Sequence, residues 1–234
     1  MSQDTIENNL SSNTAPIITV DGPSGSGKGT LCQKLAEHFG WKLLDSGALY
    51  RLVGYIADKK AITDHAGIAE QARNLDVEFI TDPASGELKS ILEGEDVTRS
   101  IRTEGCGNLA SRVAAIPEVR AALLERQRAF RVMPGLIADG RDMGSEVFPT
   151  AQLKIFLDAD AEERAKRRYN QLKEKGFDAS LAKIFDEIRD RDARDLQRTS
   201  SPLVIADDAL VIDSSSMSIE EVFQKVLEAA EQWT

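Results

Sequence analysis

Short apolar runs alternate along the chain with longer stretches whose apolar positions recur every three or four residues. The first run, Pro16-Ile17-Ile18-Thr19-Val20, is rich in β-branched residues and predicts a buried strand. A glycine-rich turn follows, and Leu31, Leu35 and Phe39 then mark one face of a helix over 29–39. Trp41 to Leu44 predicts a second short strand. Ser46 reads as the N-cap of a helix that turns Leu49, Leu52, Val53 and Ile56 inward. Between about Leu75 and Val97 the pattern changes. Val77-Glu78-Phe79-Ile80 and Leu88-Lys89-Ser90-Ile91-Leu92 predict strands joined by a Pro83-Ala84-Ser85-Gly86 turn, with Asp96-Val97 as a candidate third. Helical spacing returns over 104–115 and 117–131, with Pro117 in a first turn. Leu136-Ile137-Ala138, Leu153 to Leu157 and Ala209-Leu210-Val211-Ile212 predict further strands. Charged helices fill 160–198, and a last helix covers 218–232.

Apolar strands alternating with helices predict an α/β fold: a doubly wound parallel sheet of about five strands with helices on both faces. The antiparallel patch between helical segments reads as an insertion. A chain of 234 residues suits one domain with an insertion, or two small ones, and 41% hydrophobic residues suffice for a sizeable core. Residues 1–14 are polar and predict a disordered tail, with neither the basic nor the apolar segment of a secretory signal. No apolar run approaches the ~20 residues that span a bilayer, so a soluble cytoplasmic protein is expected.

Net charge of −10 opposes broad contact with nucleic acid or anionic membrane. The positive charge is nevertheless concentrated. Of 17 arginines, 15 lie from Arg99 to Arg198, whereas 206–234 holds seven acids against the single Lys225. That distribution suggests a small anionic ligand in a local cleft. Cys32 and Cys106 lack partners at metal-site spacing and read as small buried thiols, not as a disulfide framework.

Gly22-Pro23-Ser24-Gly25-Ser26-Gly27-Lys28-Gly29-Thr30 stands between the first predicted strand and the first predicted helix. In that setting it reads as a phosphate loop, whose backbone N–H groups converge on phosphate oxygens at a helix N-terminus. Lys28 supplies a mobile point charge for β- and γ-phosphates. Gly29 stands where switch and motor NTPases commonly carry the Mg²⁺-binding hydroxyl, and no Asn-Lys-x-Asp motif is present, which argues against a GTPase switch. A Gly-Lys-Gly-Thr ending resembles nucleoside monophosphate kinases.

A phosphoryl transferase must hold two polyanions end to end. Like charges 4 Å apart repel by about 4 kcal/mol at an effective dielectric near 20, so several guanidinium groups are expected around the transfer point. Arg51, five residues past Ser46 in Asp45-Ser46-Gly47-Ala48-Leu49-Tyr50-Arg51, is one candidate. Arg141, in Asp139-Gly140-Arg141-Asp142-Met143-Gly144 after a predicted strand, is another, because ligands of open α/β sheets bind at strand carboxyl ends. Asp142 beside it offers an acceptor for a base amino group. A third candidate is the stripe Leu181, Ile184, Ile188, Arg191, Asp195, Arg198, apolar at one end and charged at the other. Its neighbours Arg189, Asp190, Asp192 and Arg194 read as a solvated ion-pair mesh. Arg164 and Arg168, with Arg167 beside them and a Lys173-Glu174-Lys175-Gly176 break beyond, suit a mobile lid. Taken alone, that segment is equally a solvated helical face.

The segments quoted above, together with Ile91-Leu92-Glu93-Gly94-Glu95-Asp96-Val97 and Lys154-Ile155-Phe156-Leu157-Asp158-Ala159, resemble the bacterial cytidylate kinases from about Ala15 to the C-terminal helix. The phosphate loop is shared with many kinases; the Asp-Ser-Gly-Ala-x-Tyr-Arg and Asp-Gly-Arg-Asp-Met-Gly blocks are more specific. The resemblance implies phosphoryl transfer from ATP, with Mg²⁺, to CMP or dCMP by a monomer. It further implies a core (about 15–45, 116–163 and 199–234), a nucleotide-binding insertion (about 46–115) and a lid (about 164–198). Residues Gly22 to Thr30, with Arg164 and Arg168, would serve ATP. Ser46, Arg51, Arg141 and Arg198 would hold the CMP side, with Arg51, Arg141 and Arg198 on its phosphate. Ser111, Arg120 and Asp142 would read cytosine, and Asp195 the sugar. Lys28, Arg141 and Arg198 would be the catalytic groups. Ser111 and Arg120 come from the resemblance alone. A kinase of UMP, AMP or a non-nucleotide acceptor, or an ATP-binding regulatory module, remains the alternative.

Overall fold

The computed structural model describes residues 14–81, 88–174 and 178–231. The tail before residue 14, the Pro83–Gly86 turn, the Lys175-Gly176 part of the proposed break and Gln232 lie outside the described residues.

Five parallel strands form the main sheet: β1 (Ile17–Asp21), β2 (Lys42–Asp45), β6 (Leu136–Asp139), β7 (Leu153–Asp158) and β8 (Leu210–Asp213), in the order β2-β6-β1-β7-β8. The α/β sheet with helices on both faces is as expected. Its two faces separate strictly by the strand period of two. Ile17, Leu136 and Ala138 pack with α2 (Ser46–Lys59), α3 (His65–Arg73), α5 (Glu104–Val113) and α6 (Pro117–Arg128). Ile18, Val20, Ile137, Ile155 and Leu157 pack with α1 (Lys28–Phe39) and α9 (Ile219–Ala230). A second, antiparallel sheet of β3 (Val77–Thr81), β4 (Leu88–Leu92) and β5 (Glu95–Asp96) follows α3. A third small cluster, Ala165 with Ile184 and Ile188, joins α7 (Ala161–Glu174) to α8 (Leu181–Gln197).

Every strand of the main sheet ends in aspartate: Asp21, Asp45, Asp139, Asp158 and Asp213. In register, Asp45 lies opposite Asp139 and Asp158 opposite Asp213. Each strand end needs acceptors for the N–H groups of the next turn. Asp45 accepts from Ala48 N–H at 3.0 Å and Asp158 from Ala159 N–H at 2.8 Å, while Asp213 accepts from Ser215 N–H at 2.9 Å. Asp21 reaches across to accept from Met143 N–H (2.8 Å) and Gly144 N–H (2.7 Å), binding a π-helical turn (Met143–Val147) to the end of β1.

Several local readings change. The cap of α2 is Asp45, and Ser46 is its first residue, which frees the Ser46 hydroxyl to donate to Gln127 Oε1 at 2.8 Å. The helix α3 and the short α4 (Thr98–Ile101) break what periodicity alone left unassigned, and the third strand is Glu95–Asp96, since Val97 already caps α4. Leu181 is exposed, so the stripe of α8 is apolar inward only at Ile184 and Ile188. β8 is an edge strand with Leu210 and Val211 exposed and Ile212 buried.

Gly22 carries φ +144°, and a Cβ built there would stand 2.1 Å from the Leu157 carbonyl oxygen on the neighbouring strand. Only glycine lets the chain leave β1 so close to β7. Gly22→Ala is therefore expected to destabilise the fold by at least ~2 kcal/mol, read as a lowered urea midpoint. An unchanged midpoint would show that β1 and β7 separate at little cost.

Candidate active site

The turn after β1 delivers Gly27, in the left-handed region at φ +101°, as the cap of α1 without any side-chain cap. The first N–H groups of α1 are thus left to a ligand. Lys28 is buried, its Nζ donating to the Pro23 carbonyl at 2.6 Å and to Ser26 Oγ at 3.4 Å, and Ser26 Oγ itself donates to Pro23 O at 3.1 Å. Burial, then the Arg141 charge, push Lys28 far below the usual lysine range, while Asp139 works the other way. The Asp139 carboxyl is pushed up, chiefly by burial, with Lys28 opposing.

From this loop a cleft of about 2700 Å³ runs between α7 and α8 on one side and α2, α5 and α6 on the other. It gathers onto one wall system most of the residues expected from sequence: Ser24 to Thr30, Ser46, Arg51, Ser111, Arg120, Arg141, Asp142, Arg168, Asp195 and Arg198. Arg141 Nε donates to Asp195 Oδ2 at 3.0 Å, and Arg120 forms a buried ion pair with Asp142 Oδ2. Burial works against the Asp195 charge, yet Arg141, Arg191 and Arg198 hold its carboxyl below the ordinary range. Arg51 donates to the carbonyls of Ile101 (2.6 Å) and Thr103 (3.1 Å).

Not every guanidinium is satisfied. Arg120 Nε, Arg191 Nε, and Nε and NH2 of Arg198 are buried and meet no acceptor among the described residues. Burial, then Arg141, bring Arg191 down to about 10. Buried N–H donors without acceptors cost about 1–3 kcal/mol each, more where charged. Arg120 of α6 enters the cleft from one side and Arg191 and Arg198, in and at the end of α8, from the other, and a bound anion would supply the acceptors they lack.

The sequence model of the cytidylate kinase family matches residues 18–232. The chain belongs to the cytidylate kinase family. A cytidylate kinase of Aeromonas salmonicida (strain A449) is 59% identical over 93% of this chain and 95% of its own. One from Shewanella frigidimarina (strain NCIMB 400) is 57% identical over 93% of this chain and 96% of its own, and one from Serratia proteamaculans (strain 568) 58% identical over 94% and 96%. This chain is accordingly an ATP-dependent kinase of cytidylate.

Three expected residues of this kinase sit off the cleft wall. Gly22 and Pro23 lie at the root of the loop, where Pro23 supplies the carbonyl that receives Lys28. Arg164 is buried beneath the loop, donating to Ala159 O (2.8 Å) and Ser24 O (3.0 Å) and forking onto Asp192 at 3.1 and 2.6 Å. Asp192 and Arg194 are therefore not the solvated mesh their spacing suggested. Arg194 donates to Ser111 Oγ at 3.1 Å and Asn108 Oδ1 at 3.0 Å. Arg167, set beside the lid pair without a role of its own, has an NH1 that donates to Ser26 O at 3.2 Å and an NH2 that donates to Ser214 O at 2.6 Å. Sequence reasoning missed Asp21, whose signal was its place in the row of strand-end aspartates. Arg191 was in the stripe but given no role.

Held far below the usual lysine range, Lys28 gives up its proton more readily than an exposed lysine, and a polyphosphate beside it favours the charged form. ATP binding at pH 8 is expected to take up protons, measured by calorimetry in buffers of different ionisation enthalpy, with the uptake abolished in Lys28→Met. Identical heats in all buffers, after correction for ATP itself, would contradict this.

Proposed function

We propose that the cleft passes the γ-phosphoryl group of ATP to CMP or dCMP, giving ADP and CDP or dCDP. The single observation that supports it most is the set of buried guanidinium N–H groups of Arg120, Arg191 and Arg198, without acceptors among the described residues, in the same cleft as the phosphate loop. Residues 46–115 supply the acceptor wall and 164–198 the lid. A monomer is taken as the working unit.

The N–H groups at the start of α1, with Lys28, take the β- and γ-phosphates of ATP. Arg51, Arg141 and Arg198 hold the CMP phosphate, Ser46 flanks it, and Asp195 takes the sugar. Arg168 stands on the ATP side, and Arg164 serves it by fixing Ser24 from below. Ser111, Arg120 and Asp142 read cytosine. Because Arg120 occupies Asp142 Oδ2, Oδ1 is left to accept from the cytosine amino group, where uracil presents an oxygen.

The CMP phosphate oxygen attacks in line, while Lys28 and the arginines spread the charge that grows on the transferring group. No general base is needed, since a phosphate monoester is mostly dianionic near pH 7. Among the described residues no group of three or more His, Cys, Asp or Glu side chains could hold a metal. The residues present fit an ion carried in by ATP, with Asp139, whose Oδ2 lies 3.7 Å from a Cβ built on Gly29, and the Thr30 hydroxyl as the side chains available to its waters. Mg²⁺ would supply charge neutralisation between the phosphates.

Lys28→Met is expected to lower kcat at least about a hundredfold while the melting temperature holds, read as CMP-dependent ADP release. Near-normal turnover would remove the lysine from the phosphate site. Polar mismatch of this kind discriminates by roughly 10²–10⁵, so Asp142→Ala should narrow the CMP-to-UMP ratio of kcat/KM at least about tenfold. A ratio equal to that of the native enzyme in steady-state assays would take Asp142 out of base reading.

A further inference from the structure

The helix α5 presents Glu104, Asn108 and Ser111 at four- and three-residue steps, hence on one face. Each accepts from an arginine of a distant helix. Arg168 of α7 pairs with Glu104, and Arg194 of α8 donates to both Asn108 (3.0 Å) and Ser111 (3.1 Å). Gly107 lies within the same stretch, where a Cβ would stand 3.1 Å from Arg51 NH2 and 3.3 Å from Arg191 NH1. The absent side chain leaves room for two more guanidinium groups. One short helix thus receives arginines from α2, α7 and α8.

Isolated surface ion pairs contribute little. These contacts differ in being partly buried, in register along one helix, and in joining elements 64 to 86 residues apart. They also join the two sides of the cleft: α7, which carries Arg164 and Arg167 against the phosphate loop, and α8, which carries Arg191 and Asp195, both meet α5, which carries Ser111.

We infer that Glu104 and Asn108 are positioning residues that dock the arginines of α7 and α8 onto α5, so that the affinity for one nucleotide depends on the other. This rests on the assignment of the two sides to ATP and CMP. Neither residue touches a nucleotide in that assignment. A ligand on either side that draws α7 and α8 onto α5 bears the cost of closing the seam, and the second ligand binds to a cleft already closed.

The test is calorimetric binding of CMP to the full chain, without and with a saturating non-hydrolysable ATP analogue and Mg²⁺. In the native enzyme the analogue should tighten CMP binding at least about fivefold, the lower end of typical coupling. Glu104→Gln and Asn108→Leu should each remove most of that gain, while CMP alone binds within about twofold of native. Asn108→Asp, which keeps an acceptor for Arg194, should retain the gain. No gain in the native enzyme, an undiminished gain in both disruptive variants, or an equal loss of CMP affinity without the analogue would overturn the inference. So would loss of the folded state in both variants, since the seam would then be structural. Failure of the phosphoryl-transfer reading shows separately, as native enzyme that releases no ADP on addition of CMP.

Discussion

Arginines crowded into a buried cleft repel one another, and the molecule is arranged around containing that repulsion. Asp195 sits among Arg141, Arg191 and Arg198, Asp142 pairs with Arg120, Asp192 with Arg164, and Glu104 with Arg168. Even so, among the described residues four buried guanidinium nitrogens stay without acceptors. Internal carboxylates hold the cluster together without saturating it, and the remaining donors are open to a ligand. The same balance explains how a chain of net charge −10 presents a cationic interior to a polyanion.

The row of strand-end aspartates supplies the frame. Asp45 accepts from the turn that follows its own strand, and Asp21 reaches across to the turn that follows β6, which fixes the turns carrying Ser46, Arg141 and Asp142 against the sheet. Asp21 does most in this respect, because it ties the start of the phosphate loop to the turn holding Asp142. Burial raises its carboxyl to about 6 against the pull of the Gly144 and Met143 N–H groups. Those two backbone donors and the Lys28 charge oppose that rise, so the carboxylate, the start of the phosphate loop and the turn after β6 are held as one unit by the sheet.

Much of this was legible in the residues alone. Strand runs, the glycine loop with Lys28, and the Asp139–Gly144 turn all stood out because local pattern and context agree there. What escaped were contacts made across the fold. Arg164 looks like Arg168 on a helical wheel, yet one is buried under the loop and the other meets α5. Asp192 and Arg194 have the spacing of exposed residues, and only the docking of α8 shows where they point. The cap of α2 went to Asp45 instead of Ser46 because two adjacent residues with similar capping preference cannot be ranked without the strand register.

The edge strand β8 has a further consequence for how the molecule behaves in a crowded solution. Leu210 and Val211 are exposed, as are Val204 and Ile205 shortly before them, which is the composition that recruits a foreign strand and seeds fibrils. Asp207, Asp208 and Asp213 bracket the segment, and a second copy approaching edge to edge would meet its own charges. The acidity of the C-terminal stretch thus sets like charge along the sheet's open border, which opposes pairing there, at the opposite rim from β2.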